Sequence, residues 1–367
     1  MVMKYDYLIV GAGLFGSTVA YELTKRGKKC LVVDKRDTRG GNLYTEKRDD
    51  INIHMYGAHI FHTSDEKVWN YVNALTPFHS FTNSPLALYK DKFYNLPFNM
   101  NTFYEIWGLK TPEEVEAKIN KERLVLNGEP QNLEEQALSL VGKEIYEILI
   151  KGYTEKQWGR KCTELPASII KRLPLRLRYD NNYFNDAYQG MPEDGYSAIF
   201  DVLLNGIDTE LNTDFNKNQK KYRTLADKII YTGMIDALYA FKLGELEYRS
   251  EKFEHKRLEK NNAQGVAVIN YTDTTPLYTR SIEHKHFEFW KNINNDVTWV
   301  SYEYPVDYKE TGEPYYPVNN ERNQKLYDLY KKRAEKDGYI LGGRLALYKY
   351  FDMDKTIAEA LKLVDEL

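Results

Sequence analysis

At 367 residues the chain exceeds the size at which a single core keeps growing, so two or more structural units with room for a large ligand are expected. A formal net charge of −3, with no Lys/Arg block standing clear of compensating acids, leaves a nucleic-acid partner no basic footprint. Cys30 and Cys162 alone make no disulfide framework, the first strand leaves no space for a signal peptide, and no apolar run reaches the roughly 20 residues that insert across a membrane, so a cytoplasmic protein is expected. Aromatic residues make up 14% of the chain, 31 of them Tyr. Their flat faces and hydroxyls suit sugars, uridine and phosphate. Codon bias, given abundant Lys and Asn, explains the same count.

In chain order, Tyr5-Asp6-Tyr7-Leu8-Ile9-Val10 reads as a strand running into Gly11-Ala12-Gly13-Leu14-Phe15-Gly16. A helix follows over Ser17 to Arg26, stopped at Gly27, and Cys30 to Val33 is a second buried strand ending at Asp34. From Pro112 to Tyr153 apolar residues recur at three and four, with a break near Asn127 to Pro130, giving a helical insertion. Ile169 to Tyr188 is irregular, with Pro166 and Pro174 opposing helix, and has the character of a lid. Strands are expected at 228–232, 265–271 and 297–304, a short one at Tyr339 to Leu341 leads into Gly342-Gly343-Arg344, and Asp354 to Leu367 closes the chain as a helix.

The Gly-x-Gly-x-x-Gly run follows a strand and opens a helix, and an acid stands about twenty residues on. Gly11 permits the tight turn, Gly13 lets backbone approach a pyrophosphate, and Gly16 lets the helix pack on the sheet. A diphosphate would sit at the helix N-terminus beside Leu14 and Phe15, with Asp34 on the ribose hydroxyls. This fingerprint alone leaves FAD and NAD both open. Asp34-Lys35-Arg36 running into Gly40-Gly41-Asn42 resembles the second glycine pair of the amine-oxidase-like FAD proteins, and Gly343-Arg344 resembles their late flavin-contacting segment.

Further motifs sharpen the resemblance. Tyr56 to Thr63 (YGAHIFHT), Lys151 to Trp158 (KGYTEKQW), Asp180 to Phe184 (DNNYF), Gln189 to Pro192 (QGMP), Tyr278-Thr279-Arg280 and Pro314-Tyr315-Tyr316-Pro317 occur in the order found in the prokaryotic UDP-galactopyranose mutases and span nearly the whole chain. Ala58 departs from the Pro common in that family, and Leu149-Ile150 from its Phe-Phe pair.

The resemblance implies an α/β fold: an FAD-binding Rossmann-like domain (1–80, 190–240 and 335–367), a helical domain (97–160) and an antiparallel β-sheet substrate domain (81–96, 161–189 and 241–334). It implies a homodimer that interconverts UDP-galactopyranose and UDP-galactofuranose for cell-surface polysaccharide. Its FAD is active when reduced, N5 attacking the anomeric carbon, with no net redox change. No Ser/His/Asp nucleophile set or metal-spaced Cys/His set competes with that chemistry.

Residue by residue, the match implies Arg172 and Arg280 on the diphosphate. Asn83, Tyr153, Thr154, Trp158, Tyr183, Asn270, Tyr315 and Tyr350 fall on the nucleotide and phosphates, with Tyr316 the substitute for Tyr315 under a shifted register. His59 stands beside the flavin as a third catalytic residue, and Lys35, Gly41, Asn42, Ile60, Asp352 and Met353 join the cofactor set. Without the family match, Arg172 reads as a solvated loop cation, Trp158 as a core anchor and the tyrosines as ordinary packing. His62 is expected to serve helix-start or loop packing. The rival readings are an FAD oxidoreductase of the amine-oxidase type, which leaves the paired arginines unexplained, and a flavin-binding protein without catalysis.

Overall fold

A computed structural model describes residues 4–170, 175–291, 293 and 296–367. Strands Asp208–Glu210, Cys30–Val33, Tyr5–Val10, Ala226–Tyr231 and Tyr339–Leu341 pair side by side in that order, all parallel. Cys30–Val33 and most of Tyr5–Val10 are buried, as parallel strands covered on both faces must be, while Ala226–Tyr231 is buried only at Ala226 and from Ile229 on, with Asp227 and Lys228 exposed. On one face, helix Leu14–Lys25 packs against the last helix, Met353–Glu366, where Arg26 Nη1 donates to the Val364 carbonyl at 2.6 Å. On the other lies Glu321–Lys336, its Leu326, Tyr327 and Tyr330 in a core with Tyr231, Leu246 and Tyr339. The first helix begins at Leu14, three residues earlier than its apolar spacing suggests, because Ser17 N already bonds to Gly13 O.

A second sheet of seven strands runs in the order Tyr316–Pro317, Tyr248–Leu258, Thr298–Asp307, Arg280–Glu283, Val268–Tyr271, Leu86–Tyr89, Lys92–Asn95. Its pairings are antiparallel except that Val268–Tyr271 runs parallel to Leu86–Tyr89. The strand expected from 265 starts at Val268, since the preceding segment turns to place Ala263 N and Gln264 N on the Glu283 carboxylate. The strand expected at 297–304 continues to Asp307 by pairing with the charged strand Tyr248–Leu258.

The helical layer holds Met100–Trp107, Pro112–Glu122 and Leu133–Ile145 around Phe103, Val115, Val141 and Ile145. Gly142 breaks the last of these with φ +79°, where a Cβ would meet Glu122 Cβ at 2.9 Å. A π-helical stretch, Tyr146–Lys151, then hands over to Gly152–Trp158, which approaches the second sheet through Gly152. A Cβ there would lie 2.4 Å from the Thr272 carbonyl oxygen.

Candidate functional site

The parallel sheet ends at a cavity of about 870 Å³ that reaches under the second sheet. At its head, Gly11 has φ +116°, and a Cβ on Gly16 would fall 2.0 Å from the Gly11 carbonyl oxygen, so the turn into the helix requires both glycines. Gly13 and Gly40 form a parallel bridge, bringing the two glycine segments side by side. Asp34 Oδ2 accepts from Ala12 N at 2.7 Å and its Oδ1 from Arg36 N at 2.9 Å, which fixes the acid at the strand end. Gly342 closes on Phe15, whose ring would meet an added Cβ at 2.2 Å, and the neighbouring Gly343 has φ +74°.

Arg36 was not among the sequence candidates. Its guanidinium stacks 4.4 Å from the Tyr56 ring centroid and donates to Glu313 Oε2 at 2.9 Å, while its Nη1 is buried without a partner among the described residues. A buried donor without an acceptor is expensive, and this one belongs to a residue lining the cavity.

His59 donates from Nδ1 to the Gly57 carbonyl at 2.8 Å, which leaves Nε2 as an acceptor. Burial, then the charges of Arg344 and Arg280, push its pKa down to about 4 despite the Gly57 bond. Its backbone N–H donates to His54 Nδ1, and that of His54 donates to His284 Nδ1, both at 3.2 Å. His62 is on the short strand Phe61–Thr63, not in a loop or at a helix start. Its ring bonds Asp186 Oδ2 at 2.7 Å, stacks on Phe184 at 3.7 Å and borders the cavity.

Arg280 opens its strand directly across from Glu303. Its Nε and Nη2 donate to Glu303 Oε1 at 2.8 and 2.5 Å, and Glu251 Oε1 lies 4.0 Å from Nη2. Burial works most strongly against the guanidinium charge, but Glu303, with Tyr153, Glu251 and Tyr316 behind it, outweighs it and holds Arg280 ionised. Both glutamates escaped the sequence reading; the alternation Tyr302-Glu303-Tyr304 in a strand is the one local signal that a charge points inward.

Gly11, Gly13, Leu14, Phe15, Gly16, Asp34, Lys35, Gly41, Asn42, His59, Ile60, Gly343, Arg344, Asp352 and Met353 all line this cavity, as do Asn83, Tyr153, Tyr183, Asn270, Arg280, Tyr315 and Tyr350. Trp158 lines a second cavity of about 1120 Å³, which shares Tyr153, Arg280, Tyr316 and Tyr350 with the first. Thr154 is buried and lines neither, and Arg172 lies outside the described residues. The helix carrying Tyr153 is tied to the strand carrying Arg280 through Lys156, whose Nζ donates to the carbonyls of Tyr271, Pro276 and Tyr278 at 2.9, 3.0 and 3.0 Å. Burial lowers its pKa to about 8.

Residues 148–350 match the profile of the UDP-galactopyranose mutase family, and residues 9–75 that of an NAD(P)-binding Rossmann-like domain. A probable UDP-galactopyranose mutase of Klebsiella pneumoniae is 40% identical over 367 residues, spanning 98% of this chain and 94% of that protein. A dTDP-fucopyranose mutase of Escherichia coli is 37% identical over 368 residues, spanning 97% and 96%. In fold, the chain is similar to the crystal structure of a reduced UDP-galactopyranose mutase, with a TM-score of 0.79 at 14% identity over 99% of this chain and 95% of that one. Among the described residues no helix is long and apolar enough to cross a membrane.

Proposed function

The chain belongs to the UDP-galactopyranose mutase family, and from that premise we propose that this isomerase binds FAD along the two glycine segments and UDP-galactopyranose between the sheets, exchanging it with UDP-galactofuranose. The observation that carries the reading is continuity: the dinucleotide cradle and the half-buried Arg280 open into one cavity. The residues present fit FAD. Gly13 and Gly41 leave bare backbone for a diphosphate, Asp34 is oriented for a ribose, and Arg36 keeps a donor in reserve.

Bound and reduced, FAD would supply the nucleophile, its N5, to the sugar's anomeric carbon. The chain's own residues do the rest. Arg280, held rigid by Glu303, neutralises charge developing on the departing UDP and keeps it within reach for return to the same carbon. Tyr153 offers a face for the uracil, and Tyr315 and Tyr350 offer hydroxyls to the phosphates. His59 presents a neutral acceptor beside the cofactor, with no proton to lose at neutral pH. Substrate and product have the same composition, so no reductant is consumed per turnover. A cytoplasmic homodimer supplying galactofuranose to a surface polymer completes the proposal on family resemblance.

The test is chromatography of UDP-galactopyranose incubated with dithionite-reduced holoenzyme, with dTDP-fucopyranose in a parallel arm. UDP-galactofuranose should form catalytically. Absence of product, turnover of the dTDP-sugar alone, or stoichiometric loss of reductant would each overturn the reading.

A further inference from the structure

We propose that Glu251 is a positioning residue of this site: it carries a proton beside the ionised Arg280–Glu303 pair, and that proton keeps the cluster around Arg280 from turning net negative toward the diphosphate. The inference rests on the diphosphate reading of Arg280 and concerns a group to which the reaction assigns nothing.

Register brings the three side chains together. Glu303 is opposite Arg280 on one neighbouring strand and opposite Phe253 on the other, and Glu251 is two residues from Phe253, so all three project from one face. The Glu251 and Glu303 side chains are 2% and 0% exposed. Glu303 Oε1 receives both Arg280 donors, whereas Oε2 is buried and receives no N–H or hydroxyl donor among the described residues. Arg280 Nη2 lies 2.5 Å from Glu303 Oε1 and 4.0 Å from Glu251 Oε1, so two buried carboxyls crowd one guanidinium. Like charges held that close out of water disfavour double ionisation, which leaves one of the pair with a proton. Gln157 Nε2 donates to Glu251 Oε1 at 3.1 Å, which leaves the other Glu251 oxygen to carry it.

One cation cannot balance two anions here. With Glu251 protonated, Arg280 and Glu303 sum to zero; with it ionised, the cluster is an anion facing a diphosphate. The other ionisable groups that feel Glu251 do not compensate. Tyr153, on the helix, and Tyr315 and Tyr316, beside the edge strand, are held protonated by burial. Arg249, two residues along its own strand, is paired across the sheet with Asp307 and feels Asp307 and Glu310 more strongly than Glu251, while its Nε is given to the Gln157 carbonyl at 3.1 Å. Burial, and after it the Glu303 charge, push the Glu251 carboxyl up to about 8.

UDP binding to the holoenzyme, measured by titration calorimetry at pH 7 and pH 9, tests the assignment. If only the protonated cluster accepts the diphosphate, wild-type affinity should weaken about tenfold across that interval. In E251Q and E251L, which carry no titrating group, the change should be less than about twofold. At pH 8.5, repetition of the wild-type titration in buffers of different ionisation enthalpy should reveal proton uptake on binding, a measurement that needs no variant. Parallel pH profiles in wild type and variants, or no proton uptake, would overturn the role of Glu251. Retention of wild-type UDP affinity by R280A at pH 7 would instead remove the diphosphate reading itself.

Discussion

Arg280 and Glu303 meet across adjacent strands with both Nε and Nη2 of the guanidinium on a single carboxylate oxygen, so the arginine is anchored while its Nη1 makes no hydrogen bond among the described residues. A lysine keeps the charge but cannot hold the anchor and a phosphate at once. R280K should therefore retain flavin and fold yet lose about a hundredfold in turnover, about 3 kcal/mol of transition-state stabilisation. Steady-state kinetics on the reduced enzyme checks this, and a loss of less than about threefold would remove Arg280 from the reacting site.

Lys156 sets the spacing between Tyr153 and Arg280 by gathering three carbonyls of the loop before Arg280. K156M should raise KM for UDP-galactopyranose about tenfold, about 1.4 kcal/mol, and lower kcat less. Its pKa of about 8 lies below the ordinary 10.5, so between these values the unfolded chain holds a proton that the folded one has released. The lysine's contribution to stability thus rises with pH across that window. Denaturant midpoints at pH 8 and 10 should differ in the wild type by an increment that K156M lacks.

The Phe15 ring fills the space over Gly342, and no side chain fits between them. G342A should displace Phe15 from the cradle and cut bound FAD at least about tenfold, read from flavin absorbance per protein after gel filtration. A fully yellow G342A would place the cofactor elsewhere.

His54 and His284 are buried, His59 is half-buried, and all three are uncharged, with pKa values near 3 and 4 for His54 and His59 and well below the ordinary value for His284. Each is depressed by burial, so from pH 6.5 down to about 4 the unfolded chain takes up protons that the folded chain refuses. Stability should fall on acidification with a slope approaching about 4 kcal/mol per pH unit from three such groups. Urea unfolding from pH 7 to 4.5 measures it, and H284Q should lower the slope by about a third.

The cofactor cradle was legible because its glycines act within one turn of chain, where spacing alone dictates backbone approach. The Arg280 cluster was not. Glu251 belongs to Tyr248–Leu258, whose run of Arg249, Glu251, Lys252, Glu254, Lys256 and Arg257 reads as a solvated segment and gave no strand signal. Burial of Glu251 depends on a register with a strand some fifty residues on, and periodicity within one segment cannot encode that. The hairpin Leu86–Tyr89 with Lys92–Asn95 was likewise missed, its strands being four residues each. Lys156 sits in a recognisable motif, but its partners are backbone carbonyls, which leave no mark in side-chain identity.

Arg26 touches Val364 across 338 positions of sequence, and three residues on Lys29 N donates to Asp6 Oδ2 at 2.6 Å, so the turn after the first helix touches both the last helix and the start of the first strand, at the end remote from the glycine turns. The start of the first strand and the end of the last helix thus both lie by residues 26–29, and connectivity there is exchangeable. A circularly permuted chain, with Leu367 joined to Lys4 by a short linker and reopened at Val125, which is 81% exposed between two helices, should still purify yellow. Deletion of Met353–Glu366 should not, because that helix seals one face of the parallel sheet and brings Met353 to the cavity wall.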